Sequence, residues 1–268
     1  MNPANERTER FLATGPITAR VFSASGDIKI EATDRSSVEV TLIVNGHENE
    51  RQLSSASILF DEKRNVLEVS TRFHDLTSFK GFKSVMRKSS WFDLGHGDPN
   101  VYVLLPEGSA VEISTASGET RIVGPIERAV VNSASGGVCV QDGVGALEVR
   151  TASGDVSSSK VRGSLICHSV SGSVQCDGAG TETKVRTVSG RVTLAVATAS
   201  DISIRTVSGH VVVAVARGLD VDVDATSVSG HLSSTMPLES TKGDTARADA
   251  VSLSAKTVSG NVSVKTAS

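Results

Sequence analysis

Apolar and polar residues alternate along most of this chain with a period of two, and Ser-Gly interrupts the alternation at regular intervals. In Thr-Val-Ser-Gly-Arg-Val-Thr-Leu (187–194), Val192 and Leu194 fall on one side of an extended chain and are predicted to point inward. The same unit, Thr/Ser-Ala/Val-Ser-Gly followed by alternating apolar residues, ends on Gly26, Gly118, Gly136, Gly154, Gly172, Gly190, Gly209, Gly230 and Gly260. Four successive intervals from Gly118 to Gly190 are 18 residues each, and the next three are 19, 21 and 30. A short fixed period marks a repeat architecture. Eighteen extended residues span roughly 60 Å, enough for two or three short strands with corners but too few for a four-stranded propeller blade. A twisted sandwich of hairpins would also alternate, but equal spacings favour a β-solenoid.

One unit runs from Gly154. Val156 opens an alternating stretch, Arg162-Gly163 supplies a turn, and Leu165 and Cys167 lie in a second alternating stretch. Leu147 and Val149 hold the inward positions before the next Ser-Gly. A single coil cannot bury its inner face, whereas coils stacked at about 4.8 Å do so together. The glycine is expected to form a corner that a side chain would obstruct. The Thr/Ser and Ser hydroxyls are expected to stack in columns there and bond neighbouring backbone.

Residues 1–105 follow the pattern less closely, with strand-like stretches in RVFSASGDIKIEA, VEVTLIVNG, ASILF and NVLEVSTRF, and DEKRN as a hairpin turn or solenoid corner. The expectation is one elongated domain over 1–268: irregular N-terminal coils over 1–105, with an insertion at about 73–100, then a regular array over 106–268. Neither end shows a recognisable polar capping unit. The C-terminal coil, ending VKTAS, is therefore predicted to expose an edge that supports self-association.

The Val-Ser-Gly-x-Val-x-Val units and the segment VYVLLPEG (101–108) resemble an adhesin-type, β-strand-repeat family of bacterial proteins related to the toastrack domains. The likeness covers about residues 16–268. It implies a right-handed, single-stranded β-helix and no established enzymatic residues. Adhesin relatives are exported or membrane-tethered.

The chain is 38% hydrophobic but only 3% aromatic, which suits thin layers of Val, Ile, Leu and Ala. A net charge of −3 and a pI near 6.1 argue against nucleic-acid binding. The polar N-terminus lacks the apolar run of a signal peptide, and no stretch approaches the ~18 apolar residues of a membrane span. Three cysteines have neither metal-ligand spacing nor disulfide-scaffold density, so a cytoplasmic setting is expected. Cys167 and Cys176 fall in core phase and Cys139 out of phase.

Two groups stand out as contact candidates. The insertion carries Phe79, Phe82, Lys83, Met86, Arg87, Lys88, Trp91 and Phe92, whose spacing allows a short amphipathic helix with a basic face. It either covers a flank of the solenoid or contacts a partner or an anionic membrane surface. Arg150, His168, Arg186 and Arg205 precede the corner in four successive coils, with Lys256 in the same slot later. Stacked, they would repel, so either Glu148 and Asp155 neutralise them or the column binds an anion. His210 and His231 both follow Ser-Gly and are expected to be column neighbours without a third metal ligand. His74, His96, Asp75, Asp93 and Asp98 flank the insertion but lack defined geometry for a metal.

Neither a Gly-x-Ser-x-Gly elbow nor a His-Glu-x-x-His helix occurs, and no catalytic residue, cofactor or metal is expected. The function these features point to is a non-enzymatic cytoplasmic β-solenoid scaffold for protein–protein contact or self-assembly. The alternative is a carbohydrate- or polyanion-binding solenoid using the basic ladder.

Overall fold

A computed structural model describes residues 5–44, 49–71, 98–236 and 250–267, and in it the alternating stretches are strands. The first third contains β1 (Glu6–Leu12), β2 (Thr18–Ser23), β3 (Ile28–Thr33), β4 (Ser37–Ile43), helix α1 (Asn49–Ser55), β5 (Ser57–Asp61) and β6 (Val66–Ser70). Then follow β7 (Asn100–Pro106), β8 (Ala110–Thr115), β9 (Thr120–Val123), β10 (Ile126–Ser133), β11 (Val138–Val140), β12 (Val144–Ser153) and β13 (Val156–Ser158). The remainder are β14 (Ser164–Ser171), β15 (Val174–Ala179), β16 (Glu182–Val196), β17 (Asp201–Val215), β18 (Val221–Ser229), β19 (Leu232–Ser234), β20 (Val251–Ser259) and β21 (Val262–Thr266).

The pairings build two walls that meet at the Ser-Gly corners. One wall runs β5–β6–β2–β8–β10–β12–β14–β16–β17–β20–β18. The other runs β1–β4–β7–β3–β9–β11–β13–β15–β16–β17–β21–β19. β16 and β17, 15 residues each, pass through the corner and belong to both walls. A short third side closes the coil, where the Val144 N–H donates to Lys160 O at 3.0 Å and the Val161 N–H to Gly178 O at 2.8 Å. The architecture is thus all-β and solenoid-like.

The inward positions fill one continuous core. Leu147 and Leu165 are in register with each other and almost wholly buried, as are Val149, Cys167 and Val185 in the next column inward along the strands. Fully burying one such side chain contributes about 1.5–3 kcal/mol, and each coil places several in this column system. Burial pushes the Cys167 thiol up to about 12, so it is an inert filler. Cys176 is also buried and shifted upward by burial, while Cys139 is half-buried.

The N-terminal end is closed, contrary to the expectation that neither end carries a cap. There the parallel stack gives way to antiparallel pairings, β5 with β6 and β4 with both β7 and β1. Residues 62–65, in DEKRN, form the β5–β6 hairpin turn, with Asn65 at φ 50° and Asp61 Oδ1 accepting from the Lys63 N–H. Leu53, Ala56 and Ile58, in and just after α1, are buried, and Phe11 meets Phe60 with ring centroids 5.3 Å apart. The Arg7 guanidinium donates to Leu53 O (3.0 Å) and Ala56 O (2.8 Å), satisfying carbonyls at the end of that helix. Strands used as a cap carry the same alternation as strands used as coils, which is why the cap does not stand out in the sequence.

The C-terminal end departs from the expectation in a second way. The C-terminal coil, β20 and β21, is not the last layer. It lies between β17 on one side and β18 with β19 on the other. Backbone bonds tie it in both directions: the Ser252 N–H donates to Ser200 O (2.9 Å) and the Val251 N–H to Asp220 O (2.8 Å). The outermost coil is therefore 221–236. It has Val223 where the inserted coil has Leu253 and Ser234 where that coil has Val264, and Asp222 and Asp224 interleave its apolar residues, so placing 251–266 inside buries the better hydrophobic set.

Candidate interaction surfaces at the corner and the open end

The corner motif is explained by three hydrogen-bonding positions around one column of glycines. A Cβ on Gly136 would collide with the carbonyl oxygen of Gly118, and one on Gly118 with that of Gly26. The column continues through Gly154, Gly172, Gly190 and Gly209 to Gly260 and then Gly230. Close backbone approach, rather than dihedral freedom, requires glycine here: of the nine, only Gly172 and Gly190 have positive φ. The inward hydroxyl of the motif fastens the corner within its own coil, as when Ser133 Oγ accepts from the Gly136 N–H at 2.9 Å. The serine before glycine fastens it to the preceding coil, as when Ser135 Oγ donates to Ala116 O at 3.1 Å. An Asp or Asn after glycine completes the set. Asp27 Oδ1 accepts from the Glu119 N–H (2.9 Å), Asp155 Oδ1 from the Ser173 N–H (2.7 Å) and Asn261 Oδ1 from the His231 N–H (3.0 Å).

The basic ladder is in register. Arg150 pairs with His168, His168 with Arg186, Arg186 with Arg205, and Arg205 with Lys256. Glu148 takes Arg150 at 2.6 Å and Arg128 at 3.5 Å, and Asp224 lies 3.7 Å from Lys256. Asp155 does not serve the ladder, because its carboxylate is held at the corner on the far side of the glycine column. Arg186 and Arg205, both exposed, have no ion pair among the described residues. His168, between Arg150 and Arg186, has its pKa lowered, first by desolvation and then by Arg186 and Arg150.

His210 and His231 share the column after the glycine but are not neighbours. Asn261 of the inserted coil stands between them, two strand spacings or about 10 Å apart. No group of three metal-ligating side chains occurs among the described residues. Asp98 is a corner ligand of the first coil: Oδ2 accepts from the Ala24 N–H (2.7 Å), the Ser25 N–H (3.1 Å) and the Thr71 hydroxyl (3.1 Å). His74, His96, Asp75 and Asp93, together with Phe79, Phe82, Lys83, Met86, Arg87, Lys88, Trp91 and Phe92, lie outside the described residues. A groove of about 390 Å³ lies over Gly190, Gly209 and Gly260, bordered by Ser208, Ser259 and His210. Its hydroxyls are not paired with a base.

Two surfaces escaped the sequence reading. The first is the outer edge of β18 and β19, to which no described strand pairs. At this end Leu232 is 52% exposed, although its column partner Val262 is 1% exposed. The second is a line of outward valines at the corner: Val170, Val188, Val207, Val258 and Val228, each about half exposed or more. Their signal was the exchange of Ala for Val in the motif. Val in a β-rich sequence reads as core, and only its phase, opposite to Val192 and Leu194, marks it as outward.

Solved structures similar to this chain include a cell adhesion protein candidate from Clostridium sporogenes (12% identity, 98% of this chain and 100% of that one, TM-score 0.32). Others are adhesin candidates from Parabacteroides merdae (12%, 99% and 98%, TM-score 0.40) and Bacteroides fragilis (10%, 98% and 97%, TM-score 0.41). No curated protein matches the chain. The family model that describes the Toastrack domain, DUF4097, matches residues 20–265, from within β2 to within β21. The chain belongs to the Toastrack (DUF4097) family.

Proposed function

We propose that this protein is a non-enzymatic interaction module that works in the cytoplasm and engages a partner through its open terminal coil. What carries this is the outer edge of β18 and β19, to which no described strand pairs and which ends the parallel stack with no helix or antiparallel strand among the described residues over its half-buried inner face, such as the N-terminal end has. Such an edge accepts an extended segment of another protein, or of a second copy, by strand addition. Asp222 and Asp224 project outward there, which favours an incoming strand with basic residues at alternating positions and disfavours two identical edges meeting antiparallel. The printed descriptions of the adhesin candidates above accord with a role in contact rather than catalysis. Each coil is read as one right-handed turn of a single-stranded β-helix, in keeping with the strong preference of parallel crossovers for that hand.

The test is mass by light scattering over a concentration series, for the full chain and for Leu232→Asp. A mass that rises with concentration and falls back to monomer in the variant supports self-association through this edge. A monomer throughout removes self-assembly and leaves strand addition to be tested with a basic, alternating peptide. No protection of β18 amides by that peptide would end the proposal.

A second reading is favoured by one observation, the alignment of Arg150, His168, Arg186 and Arg205 with two arginines left without carboxylates. Such a ladder would hold an anionic polymer. Salt-dependent retention on heparin, lost in Arg186→Glu, is the expected result.

A further inference from the structure

Three corner columns change character over three successive coils midway along the solenoid, the ladder at Arg150, the outward residue at Val170 and the residue after the glycine at Arg191. In the N-terminal coils the outward residue of the motif is Ala24, Ala116, Ala134 or Ala152, and in the C-terminal coils it is valine throughout. After the glycine, Asp27, Glu119 and Asp155 give way to Arg191, His210 and His231. Before it, Phe22, Ser114 and Asn132 give way to the basic ladder. A corner that served folding alone has no need of valine: the alanine coils make the same Ser and Asp hydrogen bonds without it.

From this we infer that the C-terminal half of the corner is a docking ridge for an anionic lipid bilayer. Its crest is the valine line, five strands long and therefore about 19 Å from end to end. Arg186, Arg205 and Lys256 flank it on one side, and Arg191 with His210 on the other. Of these, Arg186, Arg205 and Arg191 make no ion pair among the described residues, so their charge is available to an outside partner. The crest is straight because strand stacking is straight, and its five valines are the outward residues of the corner, beside the open groove over Gly190, Gly209 and Gly260. A bilayer surface offers a plane into which a row of small apolar side chains sinks while guanidinium groups on both sides reach the headgroup phosphates. Charge complementarity on both flanks selects anionic over neutral lipid. The ridge uses the basic column of the polyanion reading but adds the valines, and it does not depend on the open edge.

The experiment is co-sedimentation of the full-length protein with vesicles of phosphatidylcholine alone and with about one-third phosphatidylglycerol, in parallel with heparin retention. Binding to the anionic vesicles only is expected, weakening as salt is raised. Arg186→Gln with Arg205→Gln should reduce it by roughly fivefold per residue. Val188→Thr with Val207→Thr keeps the β-branched shape at exposed positions, and should reduce vesicle binding by roughly tenfold from the lost apolar area while leaving heparin retention unchanged. Circular dichroism of each variant checks that the fold is intact. Vesicle binding insensitive to the valine changes would overturn the ridge and leave only the polyanion ladder. No binding to anionic vesicles at low salt would overturn it outright.

Discussion

The two ends of this solenoid solve the same problem in different ways. At the N-terminal end, antiparallel strands, a helix and the Phe11–Phe60 contact cover the last inward-facing layer, and Val38, Val40 and Leu42 are fully buried. At the other end the last layer is an ordinary coil, and its inward residues Val221, Val223 and Ala225 are only half-buried. The residues differ little in kind. What differs is whether a neighbour lies beyond them, so position in the stack, and not composition, sets how much each side chain contributes.

That contrast can be broken most sharply at the glycines. Gly136→Ala places a Cβ against a carbonyl between two fixed coils and is expected to cost more than about 4 kcal/mol, which would show as loss of cooperative unfolding. Gly230→Ala meets an equivalent carbonyl, that of Gly260, but belongs to the outermost coil, which is free to shift outward. Chemical denaturation should show a loss well below that of Gly136→Ala. An equal loss at both would mean the terminal coil is held as firmly as the interior.

Next in size is a pair from one inward column. Leu253→Ala, in the inserted coil, should cost about 2–5 kcal/mol, while Val223→Ala, in register beside it, should cost under about 1 kcal/mol. Hydrogen exchange sharpens the same point without mutation. Amides of β20 should exchange at rates near global unfolding, and those of β18 far faster. Similar protection in the two strands would contradict an open end.

The smallest effect concerns His168. With its pKa depressed below 6.5 by desolvation and by Arg186 and Arg150, the unfolded chain takes up this proton more readily than the folded one. Stability should therefore rise with pH between the folded-state midpoint and about 6.5, then level off. Arg186→Gln should move the histidine's NMR titration midpoint upward, and His168→Gln should remove the pH-dependent increment. A midpoint unmoved by the arginine change would show that Arg186 plays no part in setting it.

The corner was legible because each of its residues has one job repeated in every coil: Ser135 has the same task as Ser117, and Asp155 the same as Asp27. The order of the last coils was not legible. Each of the last coils offers the same Thr/Ser-Val-Ser-Gly face to its neighbours, so β18 and β20 fit against β17 in the same register. The one hint lay in the spacing, since the 30 residues from Gly230 to Gly260 exceed a coil by enough chain to lead back beneath it. The basic ladder was legible from phase alone, but its charge balance was not. Whether Glu148 or Asp155 reaches an arginine depends on which side of the glycine column each stands.

The reversed order of the final coils also bears on synthesis. Residues 221–236 leave the ribosome before 251–267, at a moment when the growing face of the parallel stack is the ladder of β17, the site the later segment finally holds. Assembly from the N-terminus can therefore proceed by simple accretion up to β17 and no further. The closing step is an insertion: the earlier segment either waits unattached or must be dislodged by the later one. Emergence of residues 251–267, rather than growth of the stack, then governs when the last coils take their places.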